Sequence, residues 1–233
     1  MKKIIFPFCF IFLLFSCTSS PTYNVPVADQ DTLSNAMHLV RKMKEYKGVY
    51  HPGQFKNAEN SELYTFSDSI QKKLDSLYNK ILPSPYPNQT VFMNFKGIVD
   101  SFPTNTGFPA SITKLISMEF KNAFNSGIPY DYWCMGNEPF WQIQISEKEN
   151  LIDFYDPMIP KFYHFIFSKA EINGVATIYN AEDKANNNKI KITITKENCS
   201  DGMSERRYNY SSEVVLNGKT YKGCAIAYGD IIQ

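Results

Sequence analysis

The sequence predicts a mainly β fold, an OB-like small barrel with one helix followed by a second antiparallel β-barrel. Three features support this. Hydrophobic residues make up 43% of the chain and aromatic residues 15%, a composition rich in side chains that suit a pleated, half-buried surface. Short apolar runs recur between Gly-, Pro- and Asn-containing breaks. The clearest has Ile190, Ile192 and Ile194 alternating with Lys191, Thr193 and Thr195, the period of a strand with one face buried. Within the first half, Ile70, Leu74, Leu77 and Ile81 instead keep the spacing of one helical face.

At the amino terminus, Lys2 and Lys3 precede a nearly unbroken apolar run from Ile4 to Phe15. The run is shorter than the roughly 20 residues that span a bilayer, and Pro7 interrupts it, so it reads as a signal-peptide core over residues 1–16. It closes in Leu14-Phe15-Ser16-Cys17, which resembles the lipobox of bacterial lipoproteins. The resemblance implies cleavage before Cys17 and acylation of its sulfur, with the bilayer as a partner through that lipid. Two or three acyl chains suffice for stable attachment without a spanning helix. Residues 17–31, polar and Pro-containing, then read as a lipidated flexible tether.

Residues 32–124 are the predicted OB-like domain. Leu33, Met37, Val40 and Met43 give Thr32–Glu45 a helical stripe, a short helix or ordered lead-in. Gly48–Tyr50 and Leu63–Phe66 read as short strands. Ser67 is placed to cap the helix that follows, with Asp68 in its first turn, and Pro83, Pro85 and Pro87 stop it. Val91–Val99 and Ile112–Phe120 are strands separated by a Pro/Gly/Thr/Asn loop. The break over 125–131 is the best boundary, and residues 130–233 form the second predicted barrel. Its strands are Phe140–Ile145, Leu151–Tyr155, Tyr163–Phe167, Val175–Tyr179, Ile190–Ile194, Tyr208–Leu216 and Lys219–Ala227. Asn173-Gly174 and Asn217-Gly218 are type I′ hairpin signals.

Charge excludes some partners. Without Lys2 and Lys3, 22 of the chain's 24 basic side chains remain against 23 acidic ones, which argues against nucleic acid and against a polybasic lipid-binding patch. Of the five cysteines, Cys17 is assigned to lipid and Cys9 falls in the signal core. Cys134, Cys199 and Cys224 remain, enough in an oxidising compartment for one disulfide and one leftover thiol.

Two motif sets carry further resemblances. Cys134-Met135-Gly136-Asn137-Glu138-Pro139-Phe140-Trp141 and Cys199-Ser200-Asp201-Gly202-Met203-Ser204, with Tyr208, Asn217-Gly218 and Gly223-Cys224-Ala225, resemble a family of bacterial envelope β-barrel domains of unassigned activity. This resemblance implies a Cys199–Cys224 disulfide and leaves Cys134 buried, free or alternatively paired. Tyr46-Lys47-Gly48-Val49-Tyr50, Leu74-Asp75-Ser76-Leu77-Tyr78 and Val91-Phe92-Met93-Asn94-Phe95-Lys96-Gly97 resemble the carboxyl-terminal OB-like module of the NlpE lipoproteins. That family is linked to copper tolerance and envelope-stress signalling. Its amino-terminal Cys-x-x-Cys motif has no counterpart here, so copper and redox roles do not transfer.

No catalytic residue set, cofactor motif or metal-ligand spacing stands out. His38, His51 and His164 are far apart in sequence, and nucleophile elbows, phosphate loops and His-Glu zinc motifs are missing. The candidate ligand or partner contacts are Glu138, Trp141, Asp201, Ser204, Arg206 and Arg207. For each a structural role competes: Glu138 accepting backbone hydrogen bonds, Trp141 in the core or at the barrel mouth, Asp201 capping its own loop, and an Arg pairing with an acid. The leading expectation is a non-catalytic, membrane-anchored module that binds an envelope protein or peptidoglycan fragment, or senses envelope stress. An inhibitor of a lysozyme-like hydrolase, using Asp201–Glu205 as a plug, is one alternative. An enzyme is the other, favoured if Glu138, Asp201 and His164 gather at one pocket.

Overall fold

A computed structural model describes residues 43–230. Cys17, the signal segment, the tether and the predicted lead-in helix up to residue 42 lie outside the described residues. The end of that predicted helix is strand instead, because β1 (Lys44–His51) begins at Lys44. β2 (Gln54–Asn57), β3 (Leu63–Phe66), helix α1 (Asp68–Ile81), β4 (Val91–Val99) and β5 (Phe108–Glu119) complete the first body. Its strands close in the order β1-β2-β3-β5-β4, with β4 back against β1 and β3 parallel to β5. This is the OB-like barrel with its helix between the third and fourth strands.

Ser67 occupies the N-cap position in extended backbone, but its hydroxyl makes no capping hydrogen bond to the helix. The buried stripe of α1 also differs from the predicted one. Leu74 and Tyr78 are buried, continuing to Leu82 past the helix end, while Ile70, Leu77 and Ile81 are only half-buried. Tyr78 fits inside because its hydroxyl donates to the Gln89 carbonyl at 2.7 Å. Tyr50 likewise reaches from β1 to donate to Asp75 on α1 at 2.6 Å. Buried phenols with partners satisfy both the apolar ring and the polar tip. Phe95 centres the barrel, fully buried among Tyr46, Phe55 and Phe66 at ring distances of 5.3, 5.2 and 5.7 Å.

The second body is a nine-stranded antiparallel sheet that curls on itself. Its strands are β6 (Tyr132–Asn137), β7 (Phe140–Ser146), β8 (Leu151–Asp156), β9 (Lys161–Ile166), β10 (Glu171–Asn173), β11 (Ala176–Asp183), β12 (Asn188–Ser200), β13 (Arg207–Leu216) and β14 (Lys219–Ala227). Chain neighbours pair throughout except at β9 and β10, β14 returns to β6, and β9 packs against β11 across the seam. The interior is filled by Cys134, Trp141, Ile143, Ile145, Ile152, Phe154, Phe165, Ile192, Val214 and Tyr221, among others. Asn217 and Gly218 both have positive φ, 50° and 84°, as a type I′ turn requires. At the other predicted hairpin the turn is Gly174-Val175, because Asn173 pairs with Ala176. Only Gly174 has positive φ there, the sign pattern of type II′.

Three strands have no counterpart in the sequence reading. β2 and β10 are too short to show a period. β6 lacks polar alternation because both of its faces are covered, by the sheet interior on one side and a second apolar cluster on the other. Among the described residues, no helix is long and apolar enough to cross a membrane. Truncating Phe95→Ala leaves a void at the centre of the first barrel, and about 3–5 kcal/mol of stability is lost, read as a lower denaturant midpoint. Ile172→Ser, at an exposed position, stays within about 0.5 kcal/mol of the parent.

Candidate functional site

Strand alternation around the disulfide decides which side chains reach the surface. Cys134 and Ala225 belong to the sheet interior, whereas Trp133, Cys224 and Ile226 join Tyr130 and Tyr208 in a separate cluster. A one-residue bulge between Lys196 and Cys199 interrupts the β12–β13 ladder and bends the hairpin end. There the Cys199–Cys224 disulfide pins it to β14, with a Cα–Cα distance of 5.6 Å. This is the pairing the motif resemblance implied. Cys134 is free and buried, and burial pushes its thiol well up, which disfavours the reactive thiolate.

The pinned end carries the loop from Ser200 to Arg206. Asp201 organises it. One carboxylate oxygen accepts the Met203 and Ser204 amides at 3.0 and 2.8 Å, and the other accepts the Ser204 and Tyr208 hydroxyls at 2.8 and 3.3 Å. Slight desolvation works to raise the Asp201 carboxyl, but these hydrogen bonds outweigh it and hold the group below the usual aspartate range. Asn137, at the end of β6, ties the loop to the sheet by donating to the Asp201 carbonyl at 3.0 Å. An open hollow of about 420 Å³ lies between this loop, the end of β6 and the Lys222–Cys224 stretch of β14.

Glu138 and Asp201 both line the hollow. Glu138 stands exposed on the β6–β7 turn, and among the described residues its side chain makes no hydrogen bond, contrary to the expectation that it accepts backbone N–H groups. Ser204 is engaged by Asp201. Arg206 lies over the Phe124 ring at 5.2 Å rather than beside an acid, and Arg207 opens β13 at the surface. Trp141 is 3% exposed and leaves the surface set: it stacks on Phe154 at 5.8 Å inside the sheet. Gly136, opposite it, has no room for a Cβ, which would fall 2.2 Å from the indole nitrogen. His164 lies in a different place, so Glu138, Asp201 and His164 do not share a pocket.

His164 belongs to the interface between the two bodies, which sequence reading missed. The α1–β4 loop and the end of β5 pack on the outer face of β7, β8 and β9 through an aromatic group. Phe120 meets Tyr155 and Phe162 at 5.0 and 5.3 Å, and Tyr86 stacks on His164 at 4.1 Å. Two polar clusters run through it. Lys121 and Glu149, each with a 7% exposed side chain, form an ion pair at 3.0 Å. Glu149 also accepts from Thr90 at 3.1 Å and from Gln144. In the second cluster, Asp153 accepts from the Tyr86 hydroxyl and binds His164 Nδ1 at 2.6 Å. Desolvation, then the Asp153 charge, pushes the Tyr86 phenol well above its usual value. No period or motif marks these residues, because they come from loops and from the polar side of strands.

No family model, curated protein or solved structure matches the chain.

Because the folded Asp201 carboxyl titrates low, its hold on the loop is present above the free-aspartate value of about 3.9. It is lost as pH falls through the lower folded value. Protection of the Met203 and Ser204 amides in hydrogen exchange falls over that acid window, and Asp201→Ala removes it at neutral pH. At the interface, Lys121→Met strands Glu149 and costs about 3–5 kcal/mol, whereas Lys121→Met with Glu149→Leu recovers most of the loss, measured by urea unfolding.

Proposed function

We propose that the chain is a lipoprotein of the bacterial envelope, acylated on Cys17 and facing the periplasm, probing its surroundings as a non-catalytic binding or stress-sensing module. The reading joins the lipobox-like Leu14-Phe15-Ser16-Cys17 to the two motif resemblances, an NlpE-type OB-like module and a barrel domain of the Cys199-Ser200-Asp201-Gly202-Met203-Ser204 type. One observation carries the choice of contact surface. The Asp201 loop is tied down at its base by the disulfide, Asn137 and the Asp201 carboxylate, while Met203 at its tip is 67% exposed. A loop already ordered before contact loses little conformational entropy on binding, so its exposed groups translate into affinity. Glu138 and Asp201 border the hollow beside it, and a partner that seats a protrusion there meets acidic and backbone groups.

The same protruding, preordered loop favours one alternative, inhibition of a lysozyme-like hydrolase by insertion of Asp201–Glu205 into the enzyme cleft. Both readings predict acyl mass on the amino-terminal Cys17 of the native protein, and an unmodified amino terminus in mass spectrometry defeats the anchoring they share. A photo-crosslinking residue at Met203 captures a discrete envelope component under the leading reading, whereas one at Asn186, on the β11–β12 turn, does not. Recovery of only abundant bulk lipoproteins from both positions removes the specific-partner claim. Lysozyme left fully active by micromolar protein removes the alternative.

A further inference from the structure

We propose that the cleft between the two bodies is a binding site for a small anion, a carboxylate or phosphate ester carried on a molecule with an apolar side. The cleft holds about 330 Å³, near the lower end of small-molecule sites. One wall comes from β1 and β2, which supply His51 and Lys56. The facing wall comes from the β7–β8 turn and β9, which supply Lys148 and His164.

Charge bookkeeping sets the ligand class. The two carboxylates nearest the cleft are already engaged: Glu149 by Lys121, Thr90 and Gln144, and Asp153 by Tyr86 and His164. Neither Lys56 nor Lys148 has a carboxylate partner among the described residues, so two positive charges face one concave space without compensation. A concave surface with low-dielectric walls focuses such a field.

The histidines line the same space and join the lysines as donors when they carry both ring hydrogens. His51 Nδ1 lies 3.0 Å from the Pro52 carbonyl, and His164 Nδ1 lies 2.6 Å from Asp153. Carbonyl and carboxylate oxygens only accept, so in each ring Nδ1 carries a hydrogen, and Nε2 donates to an anion in the imidazolium form, in which both nitrogens carry one. The buried Asp153 carboxylate fixes the orientation of the part-exposed His164 ring, so its Nε2 keeps one direction. Ile166 and Leu63, both exposed, supply the apolar flank.

The test uses the full-length protein, amide NMR titration and three probes: inorganic phosphate, N-acetylmuramic acid and, as the uncharged control, N-acetylglucosamine. One or both anions give saturable shifts centred on His51, Lys56, Lys148 and His164, weakened by added salt. Preference between the two tells a phosphate source from a sugar carboxylate. Lys56→Gln with Lys148→Gln weakens binding at least about tenfold without lowering the thermal midpoint, while Lys191→Gln, outside the cleft, leaves it unchanged. The proposal fails if neither anion gives saturable shifts, if the shifts centre elsewhere, if the double variant binds equally well, or if the neutral sugar binds as tightly as the acid. Because the cleft is separate from the Asp201 loop and the readout needs no membrane, failure here and failure of the anchored-module reading are distinguishable.

Discussion

The buried pair of Lys121 and Glu149 is the constraint around which the two bodies are arranged. Taking an ammonium and a carboxylate out of water costs several kcal/mol each, and mutual attraction offsets this only when the remaining hydrogen-bonding capacity is satisfied. Here it is. Both Glu149 oxygens accept from Lys121, at 3.0 and 3.2 Å, and each takes one further donor, Thr90 or Gln144. Its amide donates to Ser146 at 3.1 Å. A carboxylate with both oxygens doubly engaged is held in one geometry, and a body displaced from it leaves charge stranded. The aromatic group of Tyr86, Phe120, Tyr155, Phe162 and His164 adds apolar burial around that fixed point. The cleft beside the interface owes its shape to this arrangement.

A different constraint governs the far side of the second body. A strand presents its side chains alternately to two faces, so β14 sends Ala225 inward and Cys224 and Ile226 outward. Outward apolar residues need a cover, and the bent end of the β12–β13 hairpin provides it with Tyr208. The disulfide then holds a long two-stranded ribbon in place. Sulfur chemistry and alternation together place the Asp201 loop at the edge of a hollow, where its tip meets solvent while its base is immobile. Trp141 answers to the same rule on the opposite face, where its ring occupies the space that Gly136 leaves open.

Binding and structure are thus divided differently from what residue type suggests. Asp201 and Ser204 spend their polar atoms on the loop itself, and Arg206 spends its cation on Phe124. Lys56 and Lys148 have no carboxylate partner among the described residues, and both line the cleft.

What the sequence determined by itself was the local physics. Alternation at Ile190–Thr195, helical spacing through Leu74, and the Asn217-Gly218 pair each act over a few residues, so strand, helix and turn could be read where they stand. The Cys199–Cys224 pairing came from motif resemblance, since three cysteines alone leave the choice open. Tertiary structure decided whatever required two distant segments to meet. Tyr78 joins the buried stripe only because Gln89 offers its carbonyl. β6 carries no alternation only because both of its faces are covered. Lys121, Glu149, Asp153 and His164 look like ordinary surface polar residues until packing removes water from between them. A group's charge and hydrogen-bonding needs are written in its own atoms, but whether water or another side chain meets them is settled only when the chain folds.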